Sequence, residues 1–128
     1  MRFLLDTHTF LWWLDGDRRL PRRLREWIGD QANEVLVSAA SVWEITTKAR
    51  LGKLPGAAAV ATDVPACIDA QGFVALPITV RHAQRAGALI GRHRDPFDRM
   101  LIVQALAEGV PIASNERIFE DYGVDRLW

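Results

Sequence analysis

Short apolar runs separated by helix-forming stretches place the strongest constraint on how this chain can fold. Phe3 to Leu5, Val35 to Val37, Phe73 to Leu76 and the pair Ile112-Ala113 are too short for buried helices and show no polar alternation. Each therefore reads as a strand covered on both faces. Val124 to Leu127 is a fifth candidate. Helices are predicted between them: through Phe10 to Leu14, from Pro21 to Ile28, from the cap Ser38 to about Leu51 with Gly52 at its end, and more weakly over residues 58–70. Two more follow, one capped by Thr79 and running through His82 and Ala86, the other opening at Asp95-Pro96, running to Glu108 and closing at Gly109. This alternation predicts an α/β fold, a doubly wound parallel sheet flanked by helices. Right-handed crossovers then gather the C-terminal ends of all strands at one edge, where open α/β sheets bind ligands.

The length, 128 residues, predicts one domain spanning residues 1–128. Sixteen basic and sixteen acidic residues give a formal net charge of zero, so binding to nucleic acid through bulk charge is excluded and any such binding needs a local patch. Cys67 is the single cysteine, which excludes an internal disulfide and a cysteine zinc site, and fits a reducing cytoplasm. The opening MRFLLDTHTF is expected to be neither a secretory signal nor a membrane span.

Four acids fall at or near the predicted edge. Asp6 follows the first strand, Glu44 lies in the helix after the second, Asp98 lies in the first turn of the helix begun by Pro96, and Glu116 follows the fourth strand. Each has a structural alternative: Asp6 as a helix cap, and Ser41 with Glu44 or Asp95 with Asp98 as capping boxes. Helical spacing separates them. Asp98 shares a face with Leu101, Ile102 and Ala105, where an unpaired charge is costly, whereas Glu44 is expected away from the stripe of Val42, Ile45 and Ala49. Carboxylates converging at one edge repel one another unless a cation joins them, and magnesium or manganese are the hard ions that suit an oxygen-only donor set. Neither a Ser-His-Asp arrangement nor a GxxxxGK[ST] loop is evident. Phosphodiester hydrolysis by ion-bound water is the chemistry these residues suit.

LLDTHTFLWW, SAASVWEI, HRDPFDRMLIVQALAEG and PIASNERIF, in this order, resemble the PIN-domain nucleases, and in particular the VapC-like toxins of bacterial type II toxin–antitoxin modules. The resemblance implies an acidic pocket for one or two magnesium or manganese ions, RNA cleavage, and inhibition by a small cognate VapB-like antitoxin. It places the first three family acids at Asp6, Glu44 and Asp98. The fourth position, usually Asp after a Thr-x pair, reads Ser114-Asn115-Glu116, so Glu116 reaches one methylene further. The expected activity is a cytoplasmic toxin endoribonuclease. A PIN nuclease of RNA processing outside a toxin pair is the alternative. A non-catalytic signalling module is disfavoured because Asp6 has no acidic neighbour. A homodimer is expected, and a membrane association is not.

Arg92, Arg94 and Arg99, with His93 among them, and Ser114 are candidate substrate-binding residues. Thr7, Ser38 and Ser114 are candidate partners of metal ligands or their waters. The run Arg18, Arg19, Arg22, Arg23 and Arg25 reads as a solvated helix face, and Trp12, Trp13 and Trp43 read as core.

Overall fold

Alternation within the strands builds two apolar layers from very few residues. The computed structural model describes residues 1–128. Strand β1 (Arg2–Leu5) turns Phe3 and Leu5 to one face and Leu4 to the other, and β2 (Glu34–Ser38) does the same with Val35 and Val37 against Leu36. On the first face these residues pack with Phe10, Leu24, Ile45 and Ile68. On the second, Leu4 and Leu36 pack with Leu101, Ile102, Ile112 and Phe119.

The strands β3 (Val74–Leu76), β4 (Ile112–Ala113) and β5 (Arg126–Leu127) complete one five-stranded sheet in the order β3-β2-β1-β4-β5, parallel at every pairing. Because β1 lies between β2 and β4, the chain leaves in opposite directions from its centre, and the crevice at the ends of β1 and β4 is a topological switch point. The helices are α1 (Thr7–Asp15), α2 (Arg22–Gly29), α3 (Ala39–Arg50), α4 (Ala58–Thr62), α5 (Val64–Ala70), α6 (Val80–Ala88), α7 (Pro96–Glu108) and α8 (Ile118–Asp121). None is long and apolar enough to cross a membrane.

The caps follow the predicted chemistry. Ser38 accepts from the Ala40 amide at 2.9 Å, and Thr79 and His82 form a reciprocal capping box at the start of α6. Asp95 accepts from the amides of Phe97 and Asp98 at 2.9 and 3.1 Å, with Pro96 at the first helical position.

Three expectations change. The helix predicted over residues 58–70 is two helices, because Asp63 leaves the helical conformation and caps α5 through the Ala66 amide. The short α8 was not anticipated. Trp43, expected in the core, is 60% exposed and sits edge-on to Phe97, with ring centroids 5.0 Å apart.

Candidate active site

Asp6 is the first residue beyond β1, and the local chain explains its position. Its backbone is still extended while its carboxylate accepts the Thr9 amide at 2.8 Å, so it caps α1 from the strand end. Thr9 is buried and its hydroxyl donates to the Ala113 carbonyl at 2.9 Å, tying α1 to the end of β4. Asp6 is only 5% exposed. Burial pushes its carboxyl above the usual range, opposed by the Ser114 and Thr9 hydroxyls, the Thr9 amide and His8.

Glu44 corrects the helical-stripe expectation. The buried face of α3 carries Ala40, Ser41, Glu44 and Ile45, and Glu44 is 4% exposed. Its two oxygens have different partners. The Thr7 hydroxyl, itself 3.0 Å from the Ser41 hydroxyl, donates to Oε1, and the Lys48 ammonium, one turn further along α3, donates to Oε2. Neither Ser41 nor Glu44 forms the capping box that their spacing suggested; Ser38 is the cap. Burial alone would lower the Lys48 ammonium, but the Glu44 hydrogen bond and the charges of Glu44, Asp95 and Asp98 hold it above the usual lysine range.

Asp98 stands at the head of the stripe formed by Leu101, Ile102 and Ala105, with its side chain 17% exposed. It does not reach back to Asp95 as a capping box would; it lies 2.8 Å from the His93 Nε2. Its carboxyl is pushed up to about 6, mainly by burial, with the His93 hydrogen bond pulling the other way and the charges of Asp95 and Glu116 adding to the rise. Glu116 is exposed beyond β4, its amide donating to the Ser114 hydroxyl at 3.0 Å. Asp6, Glu44, Asp98, Asp95 and Glu116 therefore crowd one edge of the sheet, although no three His, Cys, Asp or Glu side chains are already gathered at metal-holding positions.

The rim is basic. Arg92 and Arg94 are exposed and line an open groove with Gly87, Gly91, His93 and Arg99. Arg99 is differently placed from the other two, because its guanidinium donates to the carbonyls of Ala86, Leu89 and His93 and holds the loop before α7 in shape. The loop is also pressed against the C-terminal segment. The His93 amide donates to the Tyr122 hydroxyl at 3.2 Å, and a Cβ on Gly91, whose φ is +150°, would lie 2.1 Å from that same oxygen. Ser114 is buried beside Asp6. The arginines between residues 18 and 25 are exposed, and most are engaged locally: Arg19 with Asp17, Arg22 with Glu26, Arg23 with the Trp128 carbonyl and Arg25 with the Leu20 carbonyl.

Lys48 and His93 are the site residues that sequence reasoning underweighted. The first had a visible signal, a Glu-to-Lys spacing of four on one helix, which ordinarily describes a solvated pair.

Comparison with known proteins bears on the family and the fold. The PIN domain family matches residues 3–125. No curated protein matches the chain significantly in sequence. Among solved structures, VapBC2 from Rickettsia felis bound to a promoter DNA fragment is similar, with a TM-score of 0.72 and 13% identity over 99% of this chain and 98% of that one. The DNA-bound VapBC from Salmonella typhimurium gives 0.71 and 18% over 99% and 97%. VapC20 from Mycobacterium tuberculosis, a Sarcin-Ricin loop cleaving toxin, gives 0.67 and 19% over 95% of each chain. At these identities the structures show the shared fold.

Proposed function

The chain belongs to the PIN-domain family, and from that premise we propose that it is a toxin endoribonuclease, hydrolysing RNA phosphodiester bonds with a divalent cation and neutralised by a cognate antitoxin. One observation supports the reading: Asp6 and Asp98 are acids enclosed at the strand-end edge of the sheet, where burial disfavours the ionised form of each and the charges of Asp95 and Glu116 add to that at Asp98. A cation relieves that repulsion, so the pocket is costly alone and favourable when occupied.

The donor set fits magnesium or manganese. It is all oxygen, with no cysteine near it, and hard ions take carboxylates and water. Asp6, Asp98 and Glu116 would hold the ion, with Glu44 completing the acidic set while fastened to Thr7 and Lys48. When bound, the ion supplies an activated water and offsets negative charge on the phosphate. The chain's own residues do the rest. The Thr9 amide orients Asp6, the His93 imidazole orients Asp98, and the free guanidinium groups of Arg92 and Arg94 meet backbone phosphates at the rim. Ser114 supports Asp6 from beneath.

The similar structures come from toxin–antitoxin complexes and from a toxin that cuts RNA, which supports the toxin assignment over a role in RNA processing. A small antitoxin and a second copy of the chain are the proposed protein partners, and the cytoplasm is the proposed place of action. The test is cleavage of total RNA by purified protein with and without magnesium or manganese, beside Asp6→Ala. Metal-dependent cleavage that the variant lacks is expected. Equal cleavage by both would remove the assignment. Expression alone should also arrest bacterial growth and the neighbouring short reading frame should restore it; normal growth with abundant soluble protein would favour RNA processing.

A further inference from the structure

Lys48 stands in an unusual place for a lysine. It is a surface residue by type, yet its side chain is half-buried, and its ammonium sits 5.9 Å from the centre of the Phe97 ring on α7. Its ammonium bonds Glu44 and lies close enough to Asp95 and Asp98 for both charges to act on it, which places it beside the acids. Glu44 fixes it there. That carboxylate is buried and its other oxygen is occupied by Thr7, next to Asp6, so it has no freedom to follow the lysine elsewhere. Glu44 takes one of the three ammonium protons, and no other hydrogen bond from the ammonium to protein is present. The remaining donors are available at a point where Asp95 and Asp98 both act on the charge.

An i,i+4 pair on an exposed helix contributes only a few tenths of a kcal/mol and has no need of burial. Burying Glu44 and partly covering Lys48 costs desolvation of both ions, and that cost is unrewarded if the lysine only balances Glu44. It is rewarded if the ammonium meets an anion that arrives with the substrate. Resting on the reading of the chain as an RNA-cutting enzyme, we propose that Lys48 is a phosphate-binding residue of the active site, positioned by Glu44. Its ammonium engages a non-bridging phosphate oxygen of the RNA at the acidic pocket. Glu44 then acts chiefly through Lys48 and Thr7, as a positioning residue.

The experiment measures binding without cleavage. A single-stranded RNA that the wild-type enzyme cuts is titrated in calcium, in a series of salt concentrations, against wild type, Lys48→Arg, Lys48→Met and the double variant Glu44→Gln with Lys48→Met. Lys48→Met is expected to weaken binding several-fold at low salt and to reduce the slope of log affinity against log salt by about 0.7, the loss of one phosphate contact on a single strand. Lys48→Arg should keep the slope. The double variant guards against a folding effect. Removing the uncompensated buried carboxylate should return the melting temperature towards wild type while leaving the binding defect in place. An unchanged salt slope in Lys48→Met, or affinity that recovers together with melting in the double variant, would overturn the phosphate role and leave the nuclease assignment standing. Wild-type protein that neither cuts nor binds any RNA would overturn both.

Discussion

Two buried polar clusters lie under the same sheet edge and differ in one respect. Behind β2, the Ser38 hydroxyl donates to the Gln104 amide oxygen. The Gln104 amide nitrogen donates to the Pro77 carbonyl at 3.2 Å and lies 3.4 Å from the His82 ring nitrogen, which in turn accepts from the Thr79 amide at 3.1 Å. In front of β1, Asp6, Glu44 and Asp98 are likewise bonded to Thr9, Thr7, Lys48 and His93. No buried side-chain polar atom in the molecule lacks a partner, so hydrogen bonding does not distinguish the two clusters. Charge does. The Gln104 cluster is built from neutral donors and acceptors and closes on itself. The acidic cluster is hydrogen-bonded too, yet it buries carboxylates, and burial, with the charges of Asp95 and Glu116 added, is what raises Asp98. The neutral cluster suits a scaffold, and the buried acids suit the cation proposed above.

The largest break in that contrast should come from Asp98→Asn. Cleavage in magnesium is expected to fall at least about a hundredfold, since charge stabilisation by a bound ion is worth several kcal/mol and each 1.4 kcal/mol is a factor of ten. The metal-free fold should not suffer. An aspartate pushed from 3.8 to about 6 binds its proton more tightly when folded than when unfolded, so its contribution to stability is greatest in acid and is lost as pH rises between those values. Wild type should therefore lose metal-free stability relative to Asp98→Asn over that window and hold a constant difference above it. Thermal melting at a series of pH values reads this directly, and a variant that melts lower than wild type at pH 7 would contradict it.

Gln104→Leu attacks the balanced cluster and should give the opposite pattern. It leaves the Ser38 hydroxyl and the Pro77 carbonyl without their partner, at a cost of about 1–3 kcal/mol and a melting temperature lower by several degrees. The stabilisation conferred by saturating manganese should remain that of wild type. Denaturant melts with and without the ion check both halves, and a diminished metal effect would show that the two clusters are coupled.

The acidic side of this contrast is partly legible in the sequence, and the Gln104 cluster is not. The strand ends were visible as short apolar runs, and they place Asp6 and Ser114 without further information. Asp98 was legible because a charge heading the stripe of Leu101, Ile102 and Ala105 conflicts with its surroundings. Glu44 was misplaced for a physical reason. The hydrophobic period finds the face of α3 that packs on other apolar residues, and the buried part of that face includes Ser41 and Glu44, which are hidden by the site itself. Lys48 was overlooked by the same logic, since a Glu–Lys pair one turn apart looks the same in sequence whether it faces water or a pocket. The division of residues 58–70 into two helices turned on whether Asp63 continues the helix or caps the next one, a choice that tertiary packing makes.

The smallest expected effect sharpens the contrast most. Asp95 is a cap and also contributes to raising Asp98 through its charge. Asparagine caps about as well, so Asp95→Asn should cost at most about a few tenths of a kcal/mol. Cleavage should largely persist, and the acid limb of its pH profile should move to lower pH as one repelling charge disappears. A pH–rate profile superimposable on wild type would show that Asp95 is insulated from the site, and a dead enzyme would make Asp95, rather than Asp98, the third ligand.

The contact between Gly91 and Tyr122 gives the rim a property that its own residues do not supply. Thirty-one positions apart in sequence, these two share a space that holds one of them only if the other has no side chain. The loop bearing His93 thus takes its shape from a tyrosine that follows the last helix, and the imidazole beside Asp98 is positioned from that segment. Without Tyr122 the loop would lose the surface it packs on and the hydrogen bond that helps set His93 in place beside Asp98.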